Sequence, residues 1–213
     1  MNVVDLTLYL VTDSSYHCEE EFLYRVEEGC RGGVTLLQLR EKNKSGREYL
    51  ELAVKVKEIA DRYKIPLIID DRVDVALACG AAGVHVGQSD LPVWAARRIL
   101  GPEKIIGATA KTVEQAREAL EQGADYLGVG AIYPTATKVK TVITRVETLT
   151  DIKNETGLPV VAIGGLDANN LDILNGTPVD GVAVVRAIIN ADNPKSAAEN
   201  IKAKAEQLKQ IRP

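Results

Sequence analysis

Excess positive charge, aromatic side chains, paired cysteines and long apolar runs are all scarce in this 213-residue chain, and each shortage excludes something. Lys and Arg number 26 against 30 Asp and Glu, a formal net charge of -4, so no global basic field exists to grip nucleic acid. Aromatics are 4% of residues, too few for base-stacking platforms, which leaves the core to Val, Ile, Leu and Ala. Cys18, Cys30 and Cys79 are odd in number and lack CxxC spacing, against a disulfide framework or a zinc site. No apolar run reaches the ~18 residues of a membrane span, and the N-terminus has neither region of a signal peptide. The expectation is a soluble, reduced, cytoplasmic protein that meets neither membrane nor nucleic acid. With 46% hydrophobic residues, the chain can bury one sizeable core, hence a single domain over 1–213.

What is present is repetition. Eight short runs rich in Val, Ile and Leu begin at Leu6, Val34, Ile65, Gly83, Lys104, Asp125, Leu158 and Asp180. Each is bounded by Gly, Pro or Asp and reads as a strand buried on both faces. Helical patterns lie between them. EYLELAVKVKEIADRY starts at Glu48, TVEQAREALEQGAD is capped by Thr112 and closes at Gly123, and a terminal helix runs from Lys195. Strict alternation with short connections implies parallel strands and right-handed crossovers. Units of roughly 27 residues fit an α/β (β/α)8 TIM barrel near its lower size limit. The competitor is a doubly wound open sheet, which usually has fewer strands; no GxGxxG loop follows the first strand here.

In such a barrel the chemistry collects where strands hand over to loops. At the second handover, alternation puts Gln38, Arg40 and Lys42 on one face and Leu39 and Glu41 on the other. Two cations and an amide there suit phosphate oxygens, or they are a solvated strand terminus. The third run ends in Asp70 and Asp71, and the fourth leads to Asp90. As neighbours, Asp71 and Asp90 could face one Mg2+; alternatively, Asp90 caps the helix that follows. Thr109 ends the fifth run. The sixth leads into a hydroxyl-rich loop around Thr135, Ala136, Thr137 and Lys138, long enough for a lid. Gly164-Gly165 and Val185-Arg186 end the last two runs, the frequent phosphate corner of this barrel class. His85 reads as a satisfied interior histidine, Phe22 and Trp94 as packing, and the thiols as buried or incidental. Position and spacing alone reach as far as a reaction joining or cleaving phosphorylated small molecules.

At these residues the chain resembles the thiamin-phosphate synthase family. LYLVTD, LQLREK, LIIDDRVDVAL, GVHVGQSDLP, IIGAT, DYLGVGAIYPTATK, VVAIGG and GVAVVRAI occur in family order. The resemblance implies a barrel that couples 4-amino-5-hydroxymethyl-2-methylpyrimidine diphosphate to 4-methyl-5-(2-phosphoethyl)thiazole, giving thiamin monophosphate and pyrophosphate. It implies pyrimidine-diphosphate contacts from the Gln38–Lys42 segment (Gln38, Leu39, Arg40, Glu41, Lys42), Asp70, Thr109 and Lys138. Mg2+ would be held by Asp71 and Asp90. Thiazole-phosphate contacts would come from Thr135, Ala136, Thr137, Gly165, Val185 and Arg186. The family reaction is dissociative, with pyrophosphate leaving before the thiazole nitrogen captures the pyrimidine carbocation. Arg40, Lys42 and Lys138 would then be the catalytic cations, and no side-chain nucleophile is needed. Three departures stand out. The family usually has Asn at Asp70, Ser at Arg186, and an Asp shortly after Lys138, where this chain reads Val-Lys-Thr-Val-Ile-Thr. A thiazole tautomerase-like isomerase and a non-catalytic phosphate-ligand sensor are the rival readings, and the oligomeric state stays open.

Overall fold

The computed structural model describes residues 4–134 and 143–210. Within them eight strands close a barrel in chain order: β1 Leu8–Val11, β2 Leu36–Leu39, β3 Leu67–Asp70, β4 Gly83–Val86, β5 Ile105–Ala110, β6 Tyr126–Gly130, β7 Val160–Ile163 and β8 Gly181–Val184. Every pair is parallel, and β1 closes the ring by pairing Tyr9 with Ala183 of β8. Helices α1 Glu19–Arg31, α2 Gly46–Arg62, α3 Val73–Ala78, α4 Val93–Leu100, α5 Val113–Glu121, α6 Val146–Thr156, α7 Arg186–Ile189 and α8 Pro194–Gln210 cover the outside. Between β7 and β8 a single 3-10 turn, Leu171–Leu174, replaces a helix. None of these helices is long and apolar enough to cross a membrane.

The continuous apolar runs are explained by two cores back to back. Leu8, Leu10, Leu37 and Leu39 point outward against the buried stripes of α1 and α2, such as Phe22, Val26, Leu52 and Val56. Their neighbours Tyr9, Val11, Leu36, Ile68, Tyr126 and Val161 point inward and fill the barrel. One residue of slip would exchange the two sets, so burial on both faces pins the register.

Local signals set the helix starts. Ser45 caps α2 and forms a capping box with Glu48, so the helix starts at Gly46, two residues before the apolar pattern suggests. Thr112 accepts from the Gln115 N–H and caps α5 as expected, and Gly123 turns the chain into β6 with a φ of 91°. Two expectations need correction. Asp90 does not cap α4, because the N-cap position is held by Pro92. Trp94 is 53% exposed, since α4 buries Val93, Ala96 and Leu100 and Trp94 sits off that stripe. Of the thiols, Cys30 is buried, Cys79 half-buried and Cys18 exposed.

The end of the barrel at which the strands begin repeats one device. Asp125, just before β6, accepts from the Ile106 N–H at 2.8 Å and from Arg97 of α4 at 2.6 Å. Asp180, just before β8, accepts from the Val160 N–H and from Lys153 of α6, each at 2.8 Å. Each carboxylate ties a strand to its neighbour and to a covering helix. Both are well partnered, the condition under which a poorly hydrated ion pair is tolerated.

Candidate active site

A cavity of about 890 Å3 opens at the C-terminal ends of the strands, the rim at which barrels of this kind place their chemistry. Strand alternation decides which residues reach it. Gln38, Arg40 and Lys42 line it, whereas the intervening Leu39 and Glu41 do not. Leu39 is fully buried among the covering helices. Its carbonyl accepts from the Tyr49 hydroxyl of α2 at 2.7 Å, a bond that fixes the end of β2. Glu41 points back to Ser14, whose hydroxyl donates to it at 2.8 Å. Its burial raises its carboxyl above the ordinary range.

The neighbouring strand ends place three carboxyl groups beside these cations. Lys42 Nζ is 2.8 Å from Asp70 Oδ2 and also bonds Asp71. Arg40 Nε stands 3.9 Å from Asp70 Oδ2, and its Nη1 is 3.8 Å from Asp13 Oδ2. Asp71 has a φ of 61°, an uncommon conformation for a residue with a Cβ. Its N–H donates to the His85 carbonyl of β4 at 2.9 Å, and that tie holds the strained turn. Asp90 accepts from the Gly87 N–H at 2.9 Å, which turns its carboxyl toward Asp71 rather than toward α4.

The electrostatics follow from this crowding. Burial raises the Asp70 carboxyl, the Asp71 charge adds to the rise, and Lys42 and Arg40 oppose it. Burial also acts on Asp71, but the hydrogen bond and charge of Lys42 outweigh it and hold that carboxyl low. Asp90 is raised by burial and then by Asp71, which is close enough to share a proton with it. Lys42 is desolvated, yet Asp70 and Asp71 more than compensate and keep it charged. Among the described residues no three His, Cys, Asp or Glu side chains are grouped to hold a metal. Asp71 and Asp90 form a pair, and a pair leaves most positions of a hard cation to water and ligand oxygens.

Across the cavity, Gly164 and Gly165 adopt positive φ, and the Gly165 carbonyl accepts from Asn170 at 2.8 Å. Gly165, Val185 and the exposed Arg186 line this side. Thr109 lies between the two corners. Thr135, Ala136, Thr137 and Lys138, with the lid expected around them, lie outside the described residues.

Among the lining residues that sequence reasoning missed are Tyr9, Lys111, Gln88 and Asn190. Alternation could have found two of them, because Tyr9 shares the face of Val11, and Lys111 that of Thr109. Gln88 reaches the site by donating to the Thr109 carbonyl at 2.6 Å, and Asn190 is held by His17 at 3.1 Å; neither has a local signal. The site as a whole offers cations and paired carboxylates at one corner and close backbone approach at the other. It can seat two phosphorylated ligands side by side and neutralise a leaving anion between them.

Comparison with known proteins matches most of the chain to one family. The family model described as thiamine monophosphate synthase matches residues 8–188. "Thiamine-phosphate synthase 2" of Streptococcus pneumoniae serotype 4 is 55% identical over 193 residues, covering 91% of this chain and 92% of that protein. The thiamine-phosphate synthase of Clostridium tetani is 49% identical over 198 residues, covering 93% and 95%. Among solved structures, the thiamine phosphate pyrophosphorylase from Pyrococcus furiosus superposes with a TM-score of 0.87 at 37% identity, covering 96% of this chain and 97% of that one.

Proposed function

The chain belongs to the thiamine monophosphate synthase family, and from that premise we propose how its rim carries out the coupling. It is a transferase of thiamin biosynthesis. The reaction joins 4-amino-5-hydroxymethyl-2-methylpyrimidine diphosphate to 4-methyl-5-(2-phosphoethyl)thiazole, and yields thiamin monophosphate and pyrophosphate. The observation that carries the assignment of roles is the cluster at the ends of β2, β3 and β4, where Arg40 and Lys42 meet Asp70, Asp71 and Asp90 on one wall of the cavity.

Arg40 and Lys42 grip the diphosphate, and Lys138 is the third cation assigned to that task. As the bond from the pyrimidine methylene to oxygen breaks, negative charge grows on the departing pyrophosphate, and these cations face it. Lys42 is already bonded to Asp70 and Asp71, so its charge alone is too little for that task. The carboxylates of Asp71 and Asp90 fit a hard divalent cation: both are oxygen donors from adjacent strand ends, and burial, then Asp71, raises the Asp90 carboxyl, a cost that such an ion would relieve. When bound there, Mg2+ supplies the remaining neutralisation of the leaving group. Gln38 and Thr109 orient the pyrimidine ring. Gly165, Val185 and Arg186 hold the thiazole phosphate, and Thr135, Ala136 and Thr137 take the same role, so that the thiazole nitrogen faces the carbon from which pyrophosphate departs. The wall supports a cation–anion separation rather than attack by a side-chain nucleophile, and doubly charged substrates of this kind fit a cytoplasmic enzyme.

Pyrophosphate release, assayed with both substrates in the presence and absence of Mg2+, tests the assignment. Release that requires both substrates and the metal is expected. Isomerisation of the thiazole without metal, or binding of the phosphorylated ligands without turnover, would replace it with one of the rival activities.

A further inference from the structure

Beneath the cavity, five inward side chains form one hydrogen-bonded chain. Gln38 Nε2 donates to the Tyr9 hydroxyl at 2.6 Å, and the Tyr9 and Tyr126 hydroxyl oxygens are 2.7 Å apart. The Tyr126 hydroxyl is 3.1 Å from His85 Nδ1, and His85 Nε2 is 3.0 Å from Thr109 Oγ1. The members come from β2, β1, β6, β4 and β5, so the chain crosses the barrel. Gln38, Tyr9, His85 and Thr109 all line the cavity; Tyr126, the central link, does not and is fully buried. Two strands forgo side chains to make room for it. A Cβ on Gly107 would stand 2.1 Å from Tyr126 Cζ, and one on Gly128 would stand 3.1 Å from His85 Cε1. The coupling reaction uses the ends of this chain and gives no task to its middle.

We infer that the Tyr9–Tyr126–His85 chain sets the hydrogen-bond sense at the cavity floor, an acceptor at Gln38 and a donor at Thr109, and thereby selects an aminopyrimidine over its 4-oxo analogue. The inference rests on the aminopyrimidine substrate read for this site above. The sense follows link by link. A phenol has one proton to donate. The Tyr9 oxygen accepts from the Gln38 amide, so the Tyr9 proton goes to Tyr126. The Tyr126 proton then goes to His85 Nδ1, which has to be the bare ring nitrogen. His85 carries its proton on Nε2 and gives it to Thr109 Oγ1, which leaves the Thr109 proton for a ligand. At the other end, the Gln38 amide oxygen is left to accept. Burial pushes both phenols far above their ordinary range, so neither loses the proton on which the sense depends. An aminopyrimidine presents an amino donor beside a ring-nitrogen acceptor, whereas the 4-oxo analogue presents a carbonyl acceptor beside a ring N–H. The second pattern meets acceptor with acceptor at Gln38, a mismatch that a site built for hydrogen bonding rejects strongly. Tyr126 and His85 are therefore positioning residues.

Two measurements test this. The chain has only two histidines, so 15N NMR of the whole protein, with His17→Gln for assignment, reads the His85 tautomer directly. A neutral ring with its proton on Nε2 is expected; a proton on Nδ1, or on both nitrogens, overturns the inference. The second measurement uses Tyr126→Phe, which keeps the ring and cuts the chain. In this variant the preference in kcat/KM for the amino substrate over the 4-oxo analogue should fall about ten-fold, with the KM for the thiazole phosphate unchanged. An unchanged preference in a variant that melts cooperatively overturns the inference, as does an equal rise in both KM values. Should Tyr126→Phe fail to fold, the tautomer of the unmutated protein decides. An unmutated protein that releases no pyrophosphate overturns the reading of the reaction, while the tautomer still judges the hydrogen-bond sense.

Discussion

Replacing Lys42 with Met separates the catalytic demand on this residue from the structural one. Its ammonium lies 2.8 Å from Asp70 Oδ2 and also bonds Asp71. At an effective dielectric near 20, a unit pair at that distance has a gross attraction of roughly 6 kcal/mol. Most of it does not appear as stability, because the Lys42 side chain is 41% exposed and both partners were hydrated before folding. The expected loss of folding stability is therefore only about 1–2 kcal/mol, mainly the consequence of leaving Asp70 with Arg40 alone at 3.9 Å. The catalytic loss is larger. Removing one positioned charge from a developing anion lowers kcat by about 100- to 1,000-fold. Adding Asp70→Asn removes the stranded carboxylate, so Lys42→Met/Asp70→Asn should recover the stability and leave kcat low. Urea denaturation and a coupled pyrophosphate assay measure the two effects on the same preparations. If kcat of Lys42→Met stays within threefold of the parent, or if Asp70→Asn restores it, Lys42 serves only to neutralise Asp70 and the reasoning fails.

Three further outcomes are expected. Asp90→Asn should raise the Mg2+ concentration needed for half-maximal pyrophosphate release by about ten- to a hundred-fold while leaving the fold intact, as judged by circular dichroism. Arg186→Ser should raise the KM for the thiazole phosphate about ten-fold with little change in that for the pyrimidine diphosphate, which steady-state kinetics would separate. Asp125→Ala, far from the cavity, should cost about 3 kcal/mol in urea denaturation, because Arg97 and the Ile106 N–H lose their shared acceptor. Its kcat at saturating substrate should remain near that of the parent.

The barrel was legible because burial on both faces of every strand produces apolar runs, and eight of them in 213 residues are more than a doubly wound sheet usually holds. Alternation within those runs then sorted Gln38, Arg40 and Lys42 toward the cavity and Leu39 and Glu41 away from it. The family resemblance in LQLREK adds Leu39 and Glu41 to the contact residues, and since their side chains do not line the cavity, only their backbone groups are left for that role. Features that depend on closure of the ring were not legible. Tyr9 and Tyr126 are 117 positions apart and meet only across the barrel, and the tight space at Gly107 exists only once Tyr126 lies over it. The role of Asp90 had two physically sound readings. Only the Gly87 N–H that holds its carboxylate, together with Pro92 at the N-cap of α4, removes the capping one. Trp94 was misplaced for a simpler reason, since a helix buries a stripe and a neighbour one position away faces solvent.

The most direct measurement is a crystal structure of the protein with Mg2+ and pyrophosphate. The expected result is an ion bound by the carboxylates of Asp71 and Asp90, with the pyrophosphate spanning it to Arg40 and Lys42. A pyrophosphate seated only at the Gly165 and Arg186 corner, or an ion bound away from both carboxylates, would contradict it.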